Sequence, residues 1–476
     1  MLFNSFQFLV FFLIVYGLYL ILPHKWQNRL LLIASYIFYG AWDWRFLSLI
    51  CLSTALDYIF GLKIYQAENP RARKFWITLS IVCNLSVLGF FKYFNFFAAS
   101  LQSLLQLFGV AFSWHAWTII LPVGISFYTF QSMSYTIDIY RKEIEPVRRF
   151  SDFMLFVSFF PQLVAGPIER AKHLLPQILH PRILTLERFY AGCYLIFWGL
   201  FEKVFVADNL AKTVDSVFNA TAPYPGMMVL LSVYAFAFQI YCDFDGYSNI
   251  ARGLAKLMGF DLMLNFRWPY FATNPQGFWS RWHISLSSWM RDYIYIPLGG
   301  NRKGHLITYR NLAITMLLAG LWHGAAWTFV AWGTYHGFLL ILHRILKPWF
   351  DKRSLSDSLP IRNLWFCLKV IFFFHLVGFG WLIFRARSMT QISQMLGSLW
   401  TGFRIIPDIT TGPFVQEIVF FIFPVLAVQI FQYVKNDFFV VWRWPTFSRA
   451  LVYFVFFYLM VIYGASGGKE FIYFQF

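Results

Sequence analysis

The sequence predicts an all-α polytopic membrane protein, and three observations carry that expectation. Of 476 residues, 59% are hydrophobic and only 13% charged, where a soluble chain carries about 25% charged residues. The mean hydropathy is +0.57. Apolar runs of bilayer length recur along the chain, and in lipid a helix satisfies its own backbone groups. Aromatic residues make up 22% of the chain, with 59 Phe and 20 Trp. So many rings must line helix contacts as well as interfacial belts. In a soluble protein the net charge of +17 would point to nucleic acid. Here Lys and Arg gather in short loops between apolar runs, as the positive-inside rule requires, and no nucleic-acid-binding module is visible. Cys51, Cys83, Cys193, Cys242 and Cys367 stand singly. No pair has metal-ligand spacing, so they read as small apolar residues and no metal site is expected.

The first span covers 6–22 and stops at Pro23. No Lys or Arg precedes it, so a retained span is expected in place of a cleaved signal. Spans follow at 30–42, 46–64, 76–97 and 117–140, with a short turn at 43–45. Basic residues cluster in 24–29, 63–75 and 141–149, which puts these loops in the cytoplasm and the N-terminus outside. The stretch 153–166 is apolar but too short to span, as re-entrant segments are. Spans resume at 189–206 and 227–242. The second runs into Asp243 and Asp245, and Gly246 permits a backbone break there. Residues 252–310 alternate basic with aromatic side chains and read as amphipathic or half-inserted helices at the cytoplasmic surface. Further spans fall at 338–345, 365–384, 414–434 and 450–463. The expectation is eleven to thirteen membrane segments. They divide into N-terminal helices (1–150), a core (151–346), C-terminal helices (347–463) and an aromatic tail (464–476).

The most informative stretch is 312–337, LAITMLLAGLWHGAAWTFVAWGTYHG. His323 lies in its middle, flanked by Gly320 and Gly324, whose spacing lets another helix backbone come close. An ionisable group at bilayer depth is costly and faces a protein interior or a wet cavity. His323 is therefore either a base held inside the membrane or a packing histidine bonded to a neighbouring helix. His283 lies in FWSRWHISLSSWMRDY, where Trp279, Trp282, Leu286 and Trp289 fall near helical spacing. It is either a surface-helix histidine or a second polar group beneath the same cavity. Asp243 and Asp245 suit an ion pair with a nearby arginine or a hydrated pocket. His336 and His343, seven apart, share a helix face. Such a pair can ligate haem, but nothing else in the sequence supports that. Arg281, Arg291, Arg302 and Lys303 suit the phosphates of an anionic donor, although positive-inside topology accounts for them nearly as well. The tail ends in FIYFQF, whose one phenol is Tyr473. It is either tucked into the bundle or an acyl acceptor, since a phenol of pKa about 10 leaves an ester more readily than an aliphatic alcohol. No phosphate-cradling glycine loop, zinc signature or nucleophile elbow is present.

Several long motifs, in order, resemble the membrane-bound O-acyltransferases, and most closely their alginate O-acetylation subgroup with its peptidoglycan-acetylating relatives. They are LPVGISFYTFQSMSYTIDIYR (121–141), FFPQLVAGPIER (159–170), FDGYSNIARGLAKLMGF (244–260), FWSRWHISLSSWMRDYIYIPLGGNR (278–302), LLAGLWHGAAWTFVAWGTYHG (317–337) and FIYFQF (471–476). Asp245 and Asn249 depart from the subgroup pattern, which has a small polar residue at the first position and often Asp at the second. The resemblance implies a ring of tilted helices around a central tunnel, with a funnel from each side meeting near His323. It implies that His323 is the essential membrane-embedded histidine and His283 the second. The tail is similar to a tyrosine motif that D-alanyl-exporting relatives carry on a small partner peptide. The implied function is transfer of an acetyl group from cytoplasmic acetyl-CoA, with no further cofactor. An extracytoplasmic acyltransferase partner of the SGNH-hydrolase type would pass it to a polysaccharide outside a bacterial inner membrane. The rival from another class is a transporter or flippase of an acylated carrier. Broken spans with intramembrane Asp and His suit it, but no inverted repeat is evident.

Overall fold

The computed structural model describes residues 1–110, 113–221, 225–351, 358–401, 411–465 and 471–472. These residues form helices and connections, with no strand among them. Among the described residues, seven helical segments are long and apolar enough to cross a membrane: His24–Gln66, Pro70–Leu107, Leu186–Phe218, Gly226–Leu257, Leu359–Arg385, Thr411–Lys435 and Thr446–Tyr463. Phe6–Ile21 is a shorter apolar helix. The protein is thus an all-α polytopic membrane protein. Its contacts group into two units, 1–196 with 250–263, and 197–249 with 264–476.

In the first unit, the turn expected at 43–45 separates His24–Asp43 from Leu47–Gln66. There Asp43 caps the turn through the Arg45 backbone N–H. A buried polar knot ties Leu47–Gln66 to Pro70–Leu88 and Ile125–Tyr140. Asp57 accepts from Ser80 Oγ at 2.8 Å and Asn84 Nδ2 at 2.9 Å, and Ser80 meets Thr136 Oγ1 at 3.0 Å. Buried polar groups persist only when bonded in this way. The span expected at 117–140 becomes helical only at Ile125. Gly124 precedes it at φ +75°, and a Cβ there would lie 2.7 Å from the Leu163 carbonyl oxygen. Only glycine meets both demands. The short apolar stretch is two helices, Phe150–Ser158 and Phe160–Leu163, with Phe153, Phe156, Phe159 and Phe160 buried.

In the second unit three expectations change. Gly226–Leu257 is one helix of 32 residues, about 48 Å long, and does not break at Gly246. That glycine serves close packing, since a Cβ there would lie 2.7 Å from the Gly199 carbonyl oxygen. Secondly, much of 264–290 is interior where surface helices were expected. Asn265, Phe266, Trp268, Phe278, Trp282 and Trp289 are all buried, in irregular connections and two helices of five and seven residues. Thirdly, the apolar run 312–337 is a helical hairpin. His305–His323 ends, Gly324 is extended, and Trp327–Asp351 begins. A Cβ on Gly324 would sit 2.0 Å from the Phe329 ring, and one on Gly320 would lie 2.3 Å from the Phe329 carbonyl oxygen. The small residues do admit another backbone, and it belongs to the very next helix.

Candidate functional site

His323 is the last residue of His305–His323 and is 3% exposed. Four rings surround it: Trp322 at 5.2 Å, Trp332 at 5.0 Å, Phe384 at 5.3 Å and His283 at 6.3 Å between centroids. The structure therefore brings the two histidines of the sequence reading together from segments forty residues apart.

His283 is fully buried, not a surface-helix residue. It stands in the turn before Ile284–Met290 with φ 44° and ψ 55°, a left-handed conformation that costs a non-glycine residue about 1–2 kcal/mol. The fold enforces it through Asn265. That residue's carbonyl accepts the Ile284 N–H at 2.8 Å, and its Oδ1 accepts from Ser285 Oγ at 2.7 Å. Asn265 Nδ2 in turn donates to Ser248 Oγ at 3.0 Å, on the long helix. Strain held by such surroundings is a mark of functional sites. The His283 turn lies outside the crossing segments. Burial there pushes the imidazole pKa down to about 3, so the ring is neutral at ordinary pH.

Three buried indole N–H groups, of Trp282, Trp332 and Trp381, have no acceptor among the described residues. Trp332 touches His323, and Trp381 lies 6.3 Å from Trp332 and 4.7 Å from Trp282. Buried donors are normally satisfied, so this cluster fits a guest that carries acceptors, such as an ester carbonyl.

The tail reaches the same place. Phe471 and Ile472 are 1% and 2% exposed. The Phe471 ring lies 5.5 Å from Phe244 and 5.0 Å from Tyr247. Phe244 itself packs edge-on against His283 at 4.6 Å. Ile472 N–H donates to Asp243 Oδ2 at 2.7 Å. Tyr473, the residue singled out in the sequence, lies outside the described residues.

Asp243 is indeed in an ion pair, but with a lysine. Lys203 Nζ lies 2.6 Å from Asp243 Oδ1 and 2.9 Å from Asp208 Oδ1. Sequence reasoning missed Lys203 and Glu202 by reading 189–206 as an unbroken apolar span. The signal was there, since Glu202-Lys203 is a charged pair within that run. Residues 201–207 form a π-turn. In a regular helix, side chains five apart point about 140° away from each other. The i→i+5 pattern of a π-turn brings Lys203 and Asp208 onto one side. Asp245 accepts from Tyr241 at 3.1 Å, and Glu202 accepts from Asn249 at 3.1 Å, so both subgroup departures, Asp245 and Asn249, are part of this polar cluster.

Arg281 is half-buried with its guanidinium 5.7 Å from the Tyr433 ring. Arg291 is exposed and pairs with Asp292 at 2.7 Å. Arg302 and Lys303 are exposed in the connection before His305. Two cavities, of about 860 and 210 Å³, are lined by other residues, and both histidines are buried. His336 is buried beside Trp332, 4.8 Å away, while His343 is half-buried. No group of three or more His, Cys, Asp or Glu among the described residues could hold a metal ion.

Comparison with known proteins gives a consistent result. The family "MBOAT, membrane-bound O-acyltransferase" matches residues 31–382. A probable alginate O-acetylase of Azotobacter vinelandii is 44% identical over 405 residues, covering 84% of this chain and 78% of the relative. A peptidoglycan O-acetyltransferase of Helicobacter pylori is 35% identical over 430 residues, 83% of this chain and 79% of the relative. A teichoic acid D-alanyltransferase of Bacillus subtilis is 28% identical over 282 residues, 56% of this chain and 69% of the relative.

Proposed function

The chain belongs to the membrane-bound O-acyltransferase family, and from that premise we propose that it moves an acetyl group across a bacterial inner membrane to O-acetylate an extracytoplasmic polysaccharide. The donor is acetyl-CoA from the cytoplasm. The acceptor in this chain is the phenol of Tyr473. An extracytoplasmic partner of the SGNH-hydrolase type then passes the acetyl group to a hydroxyl of alginate, peptidoglycan or a similar glycan.

His323 takes the phenolic proton as the oxygen attacks the thioester carbonyl. A carbon–oxygen bond forms, the carbon–sulfur bond breaks, and the proton passes to the departing thiolate. The products are a tyrosyl ester and the CoA thiol. The exchange needs only positioning and proton handling. His283, neutral and strained against the same site, orients the thioester end. The indole donors of Trp282, Trp332 and Trp381 suit the oxygen on which charge develops. Arg281, Arg291, Arg302 and Lys303 supply cationic charge for the donor's phosphates.

The observation that carries this reading is the tail. Its described residues, Phe471 and Ile472, sit against Phe244, which touches His283, and Tyr473 is next in sequence. The test is Tyr473→Phe. Donor binding should persist while polysaccharide acetylation is lost, and mass spectrometry of trapped enzyme should find the acyl group on the C-terminal peptide. Acyl found solely on a histidine would refute the relay.

A further inference from the structure

The segment after the last helix is fastened at successive points. Asn209 Nδ2 donates to the Tyr463 carbonyl at 2.8 Å. The Ala465 N–H donates to the Val204 carbonyl at 3.2 Å. Among the described residues, a third is the Ile472 N–H on Asp243 Oδ2 at 2.7 Å. We infer that Asp243, held by Lys203, is a positioning residue that seats the tail by its backbone at Ile472 and so sets where Tyr473 arrives.

Charge and geometry argue against a purely structural ion pair. Lys203 already has Asp208 at 2.9 Å, so a second carboxylate is not needed to neutralise it. Asp243 is 3% exposed, and a charge buried at such depth is costly unless fully paired. Its two oxygens are divided between two donors, Oδ1 facing the lysine and Oδ2 the tail amide. The tail amide is thus a donor to the Asp243 oxygen that the lysine does not face. The bond grips main chain and not a side chain. Consecutive Cα atoms are about 3.8 Å apart, so a seat at Ile472 constrains the residue that follows it in sequence.

The role given to the seat rests on the tail being the acyl carrier, but the seat itself does not. In full-length enzyme in nanodiscs, the Ile472 amide should exchange with deuterium at least ~100-fold more slowly than in a free peptide, as a buried, bonded amide does. Free exchange in the unaltered protein overturns the seat without any variant. Asn at 243 keeps the shape but offers one acceptor to two donors. In Asp243→Asn, Ile472 exchange should therefore quicken ~10-fold or more, the loss expected for one charge-assisted bond. The turnover number for transfer should fall by a similar factor with the acetyl-CoA KM unchanged. Unchanged Ile472 exchange in that variant overturns the assignment. Quickened exchange with unaltered turnover overturns the positioning role and leaves a structural anchor. Failure of the relay reading is separable. Tyr473→Phe would then still transfer acetyl while Ile472 remains protected.

Discussion

His323 ends a helix of 19 residues whose backbone is pinned to its neighbour by glycine contacts. His283, 6.3 Å away, stands in a left-handed turn between helices of five and seven residues. The first is placed by regular packing that relaxes every local preference. The second is placed against its own backbone preference by hydrogen bonds to Asn265. The contrast separates a histidine carried on rigid scaffolding, the proposed base, from one whose orientation the fold actively maintains.

The largest effect should come from the chemistry. His323→Ala is expected to lower acetyl transfer by about 10²–10⁴-fold, the range for losing a general base, with the protein still inserted and monodisperse. Near-normal polysaccharide acetylation would remove the base assignment. Next comes the scaffold. Gly324→Ala drives a Cβ into the Phe329 ring and should cost about 1–3 kcal/mol of stability through overpacking, seen as a lower melting temperature in detergent. The sharpest test of the contrast is an exchange of Ala for Gly at each histidine. At 283, Gly should be more stable than Ala by about 1 kcal/mol, because Ala keeps the left-handed strain. At 323, at a helix end, Gly should be less stable than Ala by up to about 1 kcal/mol. The same sign at both positions would contradict the two-route picture.

The smallest effect is in pH. The folded pKa of His283 is depressed to about 3, against about 6.5 unfolded. Above 6.5 neither state binds the proton, and as pH falls below it only the unfolded chain does. Stability should therefore drop by about 1 kcal/mol between pH 7 and pH 5.5. Melting curves of His283→Gln should lack that share of the slope.

Membrane spans and the pairing of motifs were legible because hydropathy and the WHG and RWH segments announce themselves in one dimension. The hairpin at Gly324 was not, since 312–337 is uniformly apolar and only the Phe329 ring dictates the break. Gly246 misled for a related reason. Freedom to bend and freedom to be approached look alike in a sequence, and the Gly199 carbonyl decides between them. The Lys203–Asp243 pair was hidden because it joins residues forty apart and depends on a π-turn that spacing rules do not anticipate. The strain at His283 was equally invisible, because it is imposed by Asn265 from outside the motif.

The helix Thr446–Tyr463 has Phe456 as its one buried residue, stacked on Phe201 at 4.1 Å. Its 18 residues are about 27 Å long, slightly short of an average hydrocarbon layer of about 30 Å. With most of its surface outside the protein core, this helix is open to hydrophobic mismatch, by which the length of the surrounding lipid chains biases tilt and depth. Because Tyr463 leads directly into the C-terminal segment, membrane thickness becomes a variable in how the proposed acetyl carrier is presented.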